Sequence, residues 1–347
     1  MKKKFAALIY GDNLHYLDHL APLCFFLNIP IVINEKTIFE LCRQYYPDVL
    51  AVHVEDLKIN YYIVENFDCI ITCITKELFD KDFRLQQDLL DKEIEIIWTP
   101  HGFSDKGNTC PFFESLKNSK KIFVYGKKMI NVLKEKKVLD TIKNYYEIGN
   151  YRVLYYQKFL SFYRKIIKER INDKLPKNNI NILYAPTWDD FEKSSSFWNN
   201  FELLFNDLPQ DYNLIVKLHP NLIKKNEIRI LLLKERENKK NILFVDDITM
   251  IYPLLDYADI YLGDFSSIGY DFLYFNKPMF FLPPANNGLY SSLYECGHLI
   301  KNNKIFQSIK SYSKNDEFMS NMTELYENTF TKEADLKNIF AQLQKTY

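Results

Sequence analysis

Short apolar runs recur along this chain, separated by segments long enough for a helix. Such runs are typical of strands that are buried on both faces of a parallel sheet, with helices covering those faces. The first series comprises Phe5–Tyr10, Pro30–Ile33, Leu50–Val54, Cys69–Cys73, Ile94–Trp98, Ile122–Tyr125 and Tyr146–Gly149; the second comprises Ile180–Tyr184, Leu214–Leu218, Ile242–Val245, Ala258–Leu262 and Met279–Leu282. The pattern predicts two doubly wound α/β domains.

The domain limits follow from chain length and from one polar segment. A chain of 347 residues is long enough for two domains that each bury a core. The two series are separated by Lys168–Asn179, which is polar and contains Pro176. We therefore predict a first domain at 1–170, a second at 176–320, and a C-terminal helix within 321–347 that packs back on the first domain.

Composition excludes several classes of function. Lys plus Arg and Asp plus Glu both total 45, so overall charge gives no reason to expect a nucleic acid partner. The six cysteines show no paired zinc-ribbon spacing, and we expect reduced core residues and no metal site. No cofactor is predicted, and a requirement for a divalent cation is left open.

The first apolar run is too short for a signal peptide, which predicts a cytoplasmic protein.

Nucleotide-binding fingerprints of the common kinds are absent from the sequence. There is no GxGxxG after the first predicted strand and no GxxxxGK[ST]. The GxSxG motif of α/β-hydrolases is absent as well. In open α/β sheets, ligands bind beyond the carboxyl ends of the strands. The candidate site residues are therefore the polar residues that follow the apolar runs.

The stretch Ala258–Pro283 predicts a strand, a sharp turn, a helix and a second strand. Gly263 and Asp264 end the first strand, and Ser266 and Ser267 begin the helix. Free backbone N–H groups and the helix dipole at such a position favour a phosphate. Serine at a helix start is also a common N-cap, so capping alone is the alternative interpretation.

Two histidines each follow a predicted strand. His101 lies in the turn Thr99-Pro100-His101-Gly102, where an ordinary pKa near ~6.5 suits a general base; a structural turn is the alternative. His219 follows Lys217 in the same arrangement in the second domain. The motif Tyr184–Asp190, YAPTWDD, places a hydroxyl, an aromatic face and carboxylates at another strand end.

The loop after the first strand reads Gly11-Asp12-Asn13-Leu14-His15. Its glycine and short polar side chains predict a tight turn that can admit a substrate, and a plain surface loop is an equal alternative. His15 and His19 are four residues apart, but no HExxH carboxylate accompanies them. We interpret them as a helix-surface pair.

The assembled motifs resemble the CDP-glycerol glycerophosphotransferase family of teichoic acid synthesis. The pieces that carry the resemblance are TPHG (99–102), YAPTWDD (184–190), VKLHP (216–220), DDITMIYPLLDYADIYLGDFSSIGYDF (246–272) and NKPMFF (276–281). They span roughly residues 90–285 in the family's order. The resemblance implies a GT-B fold, in which two Rossmann-like domains face each other across a cleft, with the donor nucleotide in the second domain and the acceptor in the first.

Two segments depart from the family pattern. Where the family has HGT followed by proline, leucine and lysine, this chain has the residues His101-Gly102-Phe103-Ser104-Asp105-Lys106. Where the family has G-x-P-R, it has Gly149-Asn150-Tyr151-Arg152, without the proline. Both changes lie on the acceptor side or at the cleft, so the sequence leaves the acceptor open.

The resemblance also implies a reaction and roles for residues. An acceptor hydroxyl attacks the β-phosphorus of CDP-glycerol or a related CDP-alditol, and CMP leaves. His101 takes the hydroxyl proton, and His219 with Ser266 and Ser267 holds the pyrophosphate. The other predicted donor-binding residues are Thr187, Lys217, Asp247, Thr249, Asp264 and Asp271, of which Asp247 and Thr249 approach the cytidine or ribose; the predicted acceptor-side residues are Gly11, Asp12, Asn13, His15 and Arg152.

Two alternatives stay open on the sequence. One is a GT-B glycosyltransferase that uses a nucleotide sugar for a surface polysaccharide. The other is a non-catalytic GT-B scaffold that binds a nucleotide or a polysaccharide. In the favoured interpretation, the acceptor is a cell-surface glycan, a teichoic-acid-like polymer or a lipid-linked molecule.

The segment Lys117–Lys174 carries 16 Lys or Arg against five Asp or Glu, with interleaved aromatic residues. Such a segment can bind an anionic membrane at roughly 1 kcal/mol per basic residue near the surface. This predicts a peripheral protein at the inner face of the cell membrane. A solvated helix face with buried aromatic residues is the equal alternative.

Overall fold

A computed structural model describes residues 3–106, 112–286, 289–312, 316–332 and 334–345. The chain divides into two compact units. Unit 1 consists of Met1–Phe103, Pro111–Gln157 and Asn328–Tyr347, and unit 2 consists of Ser104–Cys110 and Lys158–Glu327. The domain limits that the sequence predicts stay predictions.

Within its described residues, unit 1 contains a sheet of seven parallel strands in the order β3-β2-β1-β4-β5-β6-β7. The strands are β1 (Phe5–Ile9), β2 (Ile31–Ile33), β3 (Ala51–His53), β4 (Cys69–Thr72), β5 (Glu95–Trp98), β6 (Lys121–Val124) and β7 (Asn144–Glu147). Each lies on one of the predicted apolar runs or overlaps it. Short, largely apolar runs form strands here because helices cover both faces of the sheet.

In the described part of unit 1, an α-helix follows each strand except β5. These helices are α1 (Leu17–Leu27), α2 (Lys36–Tyr45), α3 (Asp56–Asn66), α4 (Lys76–Leu89), α5 (Lys127–Glu135) and α6 (Tyr151–Lys158), whose last residue belongs to unit 2. Helices α3 and α4 bury Ile63, Phe79 and Phe83 against Leu8 and Ile70 of the sheet. This apolar packing supplies most of the stability of such a layer.

Unit 2 repeats the architecture. Its described residues contain a parallel sheet of six strands in the order β10-β9-β8-β11-β12-β13. The strands are β8 (Ile180–Ala185), β9 (Tyr212–Val216), β10 (Ile242–Phe244), β11 (Ile260–Gly263), β12 (Met279–Phe281) and β13 (His298–Leu299). The sequence did not predict β13, because two residues at a sheet edge leave no apolar run.

The helices of unit 2 cover both faces of this sheet. They are α7 (Leu160–Ile167), α8 (Phe197–Asn206), α9 (Pro220–Lys225), α10 (Glu227–Arg236), α11 (Tyr252–Tyr257), α12 (Ser267–Phe272), α13 (Ile305–Lys310) and α14 (Asp316–Thr329), which runs into unit 1 at its end. Phe197 and Leu204 of α8 pack on Ile182, Leu214 and Leu262 of the strands.

In each sheet the strand order reverses at one place. Strand β1 lies between β2 and β4, and β8 lies between β9 and β11. Where the order reverses, the connections leave in opposite directions and open a crevice beyond the carboxyl ends of the two central strands. The loops after β1 and β4 in unit 1, and after β8 and β11 in unit 2, lie at these switch points.

A C-terminal segment completes unit 1. The Thr331 backbone N–H donates to the Tyr125 carbonyl at 3.0 Å, and the Phe330 and Tyr125 rings lie 5.4 Å apart between centroids. Helix α15 (Leu336–Lys345) follows, and its Phe340 ring lies 5.1 Å from that of Phe5.

The basic segment Lys117–Lys174 is divided between the units. Its residues Tyr151, Tyr155 and Tyr163 are buried, as the alternative interpretation of this segment expects. Lys121 is also buried and pairs with Glu95 at 2.9 Å. These side chains do not lie on an exposed surface, and binding of the segment to a membrane stays a prediction.

Two further expectations concern cysteines and membrane spans. Cys24, Cys42, Cys69, Cys73 and Cys296 are buried and free, as predicted; Cys110 lies outside the described residues. Among the helices of the described chain, we find none with the length and apolarity needed to cross a bilayer.

Replacing Gly149 with alanine is expected to loosen the C-terminal segment. Gly149 has φ +56°, and a Cβ there would lie 2.4 Å from the Thr331 carbonyl oxygen. Gly11 has φ +73°, but its Cβ would meet only Asn13 Nδ2, at 3.7 Å. Gly11→Ala should therefore cost about 1–2 kcal/mol of backbone strain, whereas Gly149→Ala should cost about 1–3 kcal/mol more, from overpacking.

Urea unfolding of both variants measures the difference, and proteolysis after Asn328 reports whether the segment has loosened. Equal losses of stability, with no change in proteolysis, would contradict the proposed close approach.

Candidate functional site

A buried carboxylate joins two loops at the switch point of unit 2. Asp264 directly follows β11 and is fully buried. Its Oδ1 accepts from the Thr187 N–H at 2.9 Å, and its Oδ2 accepts from the Ser196 N–H at 2.8 Å and the Ser196 hydroxyl at 2.9 Å. Asp264 therefore fixes both ends of the loop after β8.

Burial raises the pKa of Asp264 to about 6. The hydrogen bonds from Ser196 and Thr187 and the positive charge of Lys106 oppose that rise. The carboxylate is thus ionised at neutral pH with its oxygens engaged by the loop. These contacts indicate that Asp264 positions Thr187.

Lys106 lies against the same loop. Its ammonium contacts the Thr187 hydroxyl and is 2.9 Å from Asp190 Oδ2. Asp190 Oδ1 accepts from the Ser194 N–H at 3.1 Å. Burial raises the pKa of Asp190, but Lys106 and the Ser194 hydrogen bonds outweigh it and hold the pKa below the usual range.

His219 begins α9 beyond the carboxyl end of β9. Its Nδ1 accepts the N–H of Asn221 at 3.1 Å, and Pro220 stands at the first helical position. Because Nδ1 is the acceptor, the neutral imidazole carries its proton on Nε2. Its ring lies 6.3 Å from that of Trp188. In its neutral form, the His219 ring is therefore a donor at Nε2.

Three more predicted donor-binding residues lie after β9 and β10. The Lys217 ammonium donates to the Asp246 carbonyl at 2.8 Å and the Val245 carbonyl at 3.3 Å, which ties the two strand ends together. Asp247 is exposed and pairs with Arg170. The Thr249 hydroxyl oxygen is buried and has no hydrogen-bond partner in the described part of the chain.

The remaining donor-side predictions lie on α12. Ser266 is the N-cap, and its hydroxyl accepts from the Ile268 N–H at 3.4 Å. Ser267 is the first helical residue and is half-buried. Asp271 is buried and accepts from the Tyr252 hydroxyl at 3.0 Å, which joins α12 to α11. Ser266 thus caps α12, as the alternative interpretation of this serine expects.

In unit 1, His101 lies among aromatic rings. Its ring is 5.3 Å from His15 and 4.9 Å from Tyr16 between centroids, and its Nδ1 is buried without a hydrogen-bond partner among the described residues. Burial, and then the neighbouring His15, lower the pKa of His101 to about 3. The expectation of an ordinary pKa is wrong, because packing removes the water that would stabilise the charged ring.

The turn that carries His101 is held by Tyr125. The Gly102 N–H donates to the Tyr125 hydroxyl at 3.1 Å, and that hydroxyl donates to the Pro100 carbonyl at 3.2 Å. His19 Nδ1 lies 2.9 Å from the same hydroxyl. The sequence did not predict this role for Tyr125.

The interpretation of His15 and His19 as a surface pair is wrong. His19 is buried, and burial lowers its pKa well below the ordinary value. Burial also lowers the pKa of His15 to about 4. His15 is half-buried, because the loop after β1 packs its His15 and Tyr16 rings against His101.

The other acceptor-side predictions lie around β1 and α1. Gly11 donates its N–H to Asn34 Oδ1 at 2.8 Å, Asn13 Nδ2 donates to the Tyr10 carbonyl at 2.8 Å, and Asp12 is exposed. Arg152 is buried and donates to Asp18 Oδ2 at 2.8 Å. The Arg152 side chain therefore makes an internal ion pair with α1.

The structure gathers some predicted residues and separates others. It joins Thr187 to Asp264 in unit 2 and His15 to His101 in unit 1. Lys106, Asp190 and Ser196 belong to the same network in unit 2 but were not predicted as site residues. The run Ser194-Ser195-Ser196 before an apolar helix was an available signal, since serine caps helices. Among the described residues, no cluster of three or more His, Cys, Asp or Glu side chains could hold a metal ion.

We expect His15 and His101 to stay neutral well below pH 6.5. With pKa values of about 4 and 3, their ring signals in NMR should shift only slightly between pH 8 and 5. In the unfolded chain both rings titrate near ~6.5, so the unfolded state binds protons first as pH falls. The free energy of unfolding should therefore decrease from pH 6.5 toward pH 4.

His15→Asn and His101→Asn assign the two signals. A titration midpoint between pH 6 and 7 for either ring would contradict the buried environment.

Comparison with known proteins gives matches over both units. The profile of the family described as CDP-glycerol:poly(glycerophosphate) glycerophosphotransferase matches residues 161–339, about half of the chain. The teichoic acid glycerol-phosphate primase of Bacillus subtilis (strain 168) is 35% identical over 119 residues, 33% of this chain and 28% of that protein. The teichoic acid ribitol-phosphate polymerase TarK of Staphylococcus aureus (strain NCTC 8325 / PS 47) is 30% identical over 126 residues, 34% of this chain and 23% of that protein.

The fold has a solved counterpart. A variant of the wall teichoic acid polymerase TagF, soaked with CDPG, matches with a TM-score of 0.65 and 15% identity, covering 99% of this chain and 88% of that chain. The predicted GT-B fold class, with two Rossmann-like α/β domains, is confirmed. The matched segments span only about a quarter of the length of the two curated relatives. Since the family profile covers about half of the chain, the protein belongs to the CDP-glycerol:poly(glycerophosphate) glycerophosphotransferase family.

Proposed function

We propose that this protein transfers glycerol phosphate, or a similar alditol phosphate, from a CDP-linked donor to a hydroxyl of a cell-surface glycan or teichoic-acid-like acceptor, releasing CMP. Membership of the family supports the reaction class. The TagF variant soaked with CDPG supports the choice of donor, and TarK, a ribitol-phosphate polymerase, is the reason for testing ribitol as well.

The observation that carries the proposal is the geometry of His219. Its Nδ1 accepts the Asn221 N–H beyond the end of β9, so the neutral form of the ring carries its proton on Nε2. We propose that this Nε2–H donates to a pyrophosphate oxygen of the nucleotide donor. The bond strengthens as negative charge develops on the leaving phosphate.

Other groups of unit 2 have proposed supporting roles. Asp264 fixes the Thr187 backbone at the switch point, and Lys217 fixes the ends of β9 and β10. The buried Thr249 hydroxyl, with no partner among the described residues, is available to the cytidine or ribose. We propose that Asp247, Ser266, Ser267 and Asp271 complete the surroundings of the donor.

In the proposed reaction, the acceptor oxygen forms a bond to the β-phosphorus, and the bond between that phosphorus and the bridging oxygen breaks. The electron pair leaves with CMP, and the hydroxyl proton passes to His101. A neutral His101 can accept this proton, but a pKa of about 3 makes it a weak base. A nearby phosphate anion would raise that pKa, because opposite charge favours the protonated ring.

The acceptor side of the proposal rests on unit 1. His15 packs against His101, and the loop Gly11–Asn13 lies on the same connection. Arg152 contributes indirectly, since it is paired with Asp18. A peripheral position at an anionic membrane stays part of the proposal.

Substitution of the two histidines tests the proposal. We expect His101→Ala to lower kcat by about 10²–10⁴-fold with nearly unchanged donor affinity, because proton transfer occurs only in the transition state. His219→Ala should weaken donor binding as well as turnover, since its hydrogen bond exists in the ground state. Ser267→Ala should resemble a milder His219 variant.

The measurements are isothermal titration and steady-state rates with CDP-glycerol, CDP-ribitol and a UDP-sugar. His298→Ala, at the exposed edge of the unit 2 sheet, is the matched control and should change neither quantity. If only the UDP-sugar is turned over, the protein is a glycosyltransferase and the proposed function is wrong. Full turnover by His101→Ala would remove His101 as the base.

A further inference from the structure

The contacts of Lys106 leave it able to bind an additional anion. Lys106 lies five residues after His101 in sequence and belongs to unit 2. Its side chain is 20% exposed, and its ammonium contacts Thr187 Oγ1 and Asp190 Oδ2. An ammonium has three protons to donate. In the described part of the chain the third has no partner.

Thr187 offers a second donor at the same place. Its hydroxyl oxygen accepts from Lys106, and its own hydroxyl proton has no partner among the described residues. The Thr187 backbone cannot move freely, because Asp264 accepts its N–H and Ser195 donates its hydroxyl to the Thr187 carbonyl at 2.9 Å. Two donors are thus held beside each other beyond the carboxyl end of β8.

Asp190 controls how strongly these donors attract an anion. It is 2.9 Å from the ammonium and largely buried, and Ser194 holds it in place. An incoming phosphate competes with this carboxylate for Lys106. Asp190 thereby keeps Lys106 oriented but also weakens its attraction for a phosphate.

We propose that Lys106 and Thr187 form a phosphate-binding subsite for the pyrophosphate of the nucleotide donor, with Asp190 as an internal competitor for the ammonium. The identity of the donor in this inference rests on the proposed function. A lysine in this position neutralises charge on the phosphates in the ground state and in the transition state. A purely structural lysine would serve only to attach its segment to the loop after β8.

Two substitutions with opposite expected effects distinguish these roles. Lys106→Met should weaken binding of CDP-glycerol by about 10–100-fold, as expected for loss of a charge-assisted hydrogen bond. Asp190→Asn keeps an oxygen that can accept the Ser194 N–H but removes the competing charge. It should bind CDP-glycerol more tightly, by up to about tenfold, because Lys106 no longer has a competing anionic partner. Lys106→Arg should recover part of the lost affinity.

Lys239→Met is the matched control. Lys239 also lies in unit 2, and its ammonium donates to the Asn206 carbonyl at 2.9 Å. The variant removes the same charge from the unit but should leave binding unchanged. Circular dichroism of each variant verifies folding, and Asp190→Asn still tests the proposal if Lys106→Met does not fold.

Isothermal titration with CDP-glycerol, a UDP-sugar and inorganic pyrophosphate separates this inference from the proposed function. If the wild type binds only the UDP-sugar, the proposed donor is wrong, and the Lys106 effect is then judged with that nucleotide. If Lys106→Met and Asp190→Asn weaken binding alike, or if Lys106→Met binds as the wild type does, the subsite is refuted. Failure of the wild type to bind any of the three probes would also refute it.

Discussion

The buried carboxylate of Asp264 is the interaction on which the candidate site of unit 2 depends. It stands where the strand order reverses, between β8 and β11, and fixes Thr187 and Ser196. A buried carboxylate without such donors would lose its charge or destabilise the fold. Its hydrogen bonds therefore link the stability of the loop after β8 to the geometry that presents Thr187 and Lys106.

The turn at His101 in unit 1 is held in a similar way, by the neutral hydroxyl of Tyr125. The Tyr125 hydroxyl accepts the Gly102 N–H and donates to the Pro100 carbonyl, so the turn is held from within the sheet. The C-terminal segment packs on Tyr125 in turn. In both units, a polar group at the strand ends is rigid because its partners come from neighbouring elements, which suits catalysis by positioning.

The fold was predictable from the sequence because short apolar runs have few stable arrangements. Runs such as Phe5–Tyr10 and Met279–Leu282 became buried parallel strands, while His298–Leu299, at a sheet edge, left no such signal. The environments of the side chains were not predictable. The low pKa of His101 arises from the rings of residues distant in sequence, and the contacts of Lys106 with Thr187 and Asp190 exist only after folding.

The central claim is that unit 2 binds the donor nucleotide beyond the carboxyl ends of its strands. A crystal structure of the protein with CDP-glycerol bound tests it most directly. The account predicts a pyrophosphate oxygen at about 3 Å from His219 Nε2, within hydrogen-bond distance. A nucleotide bound elsewhere in the protein, or a pyrophosphate out of reach of His219, would contradict it.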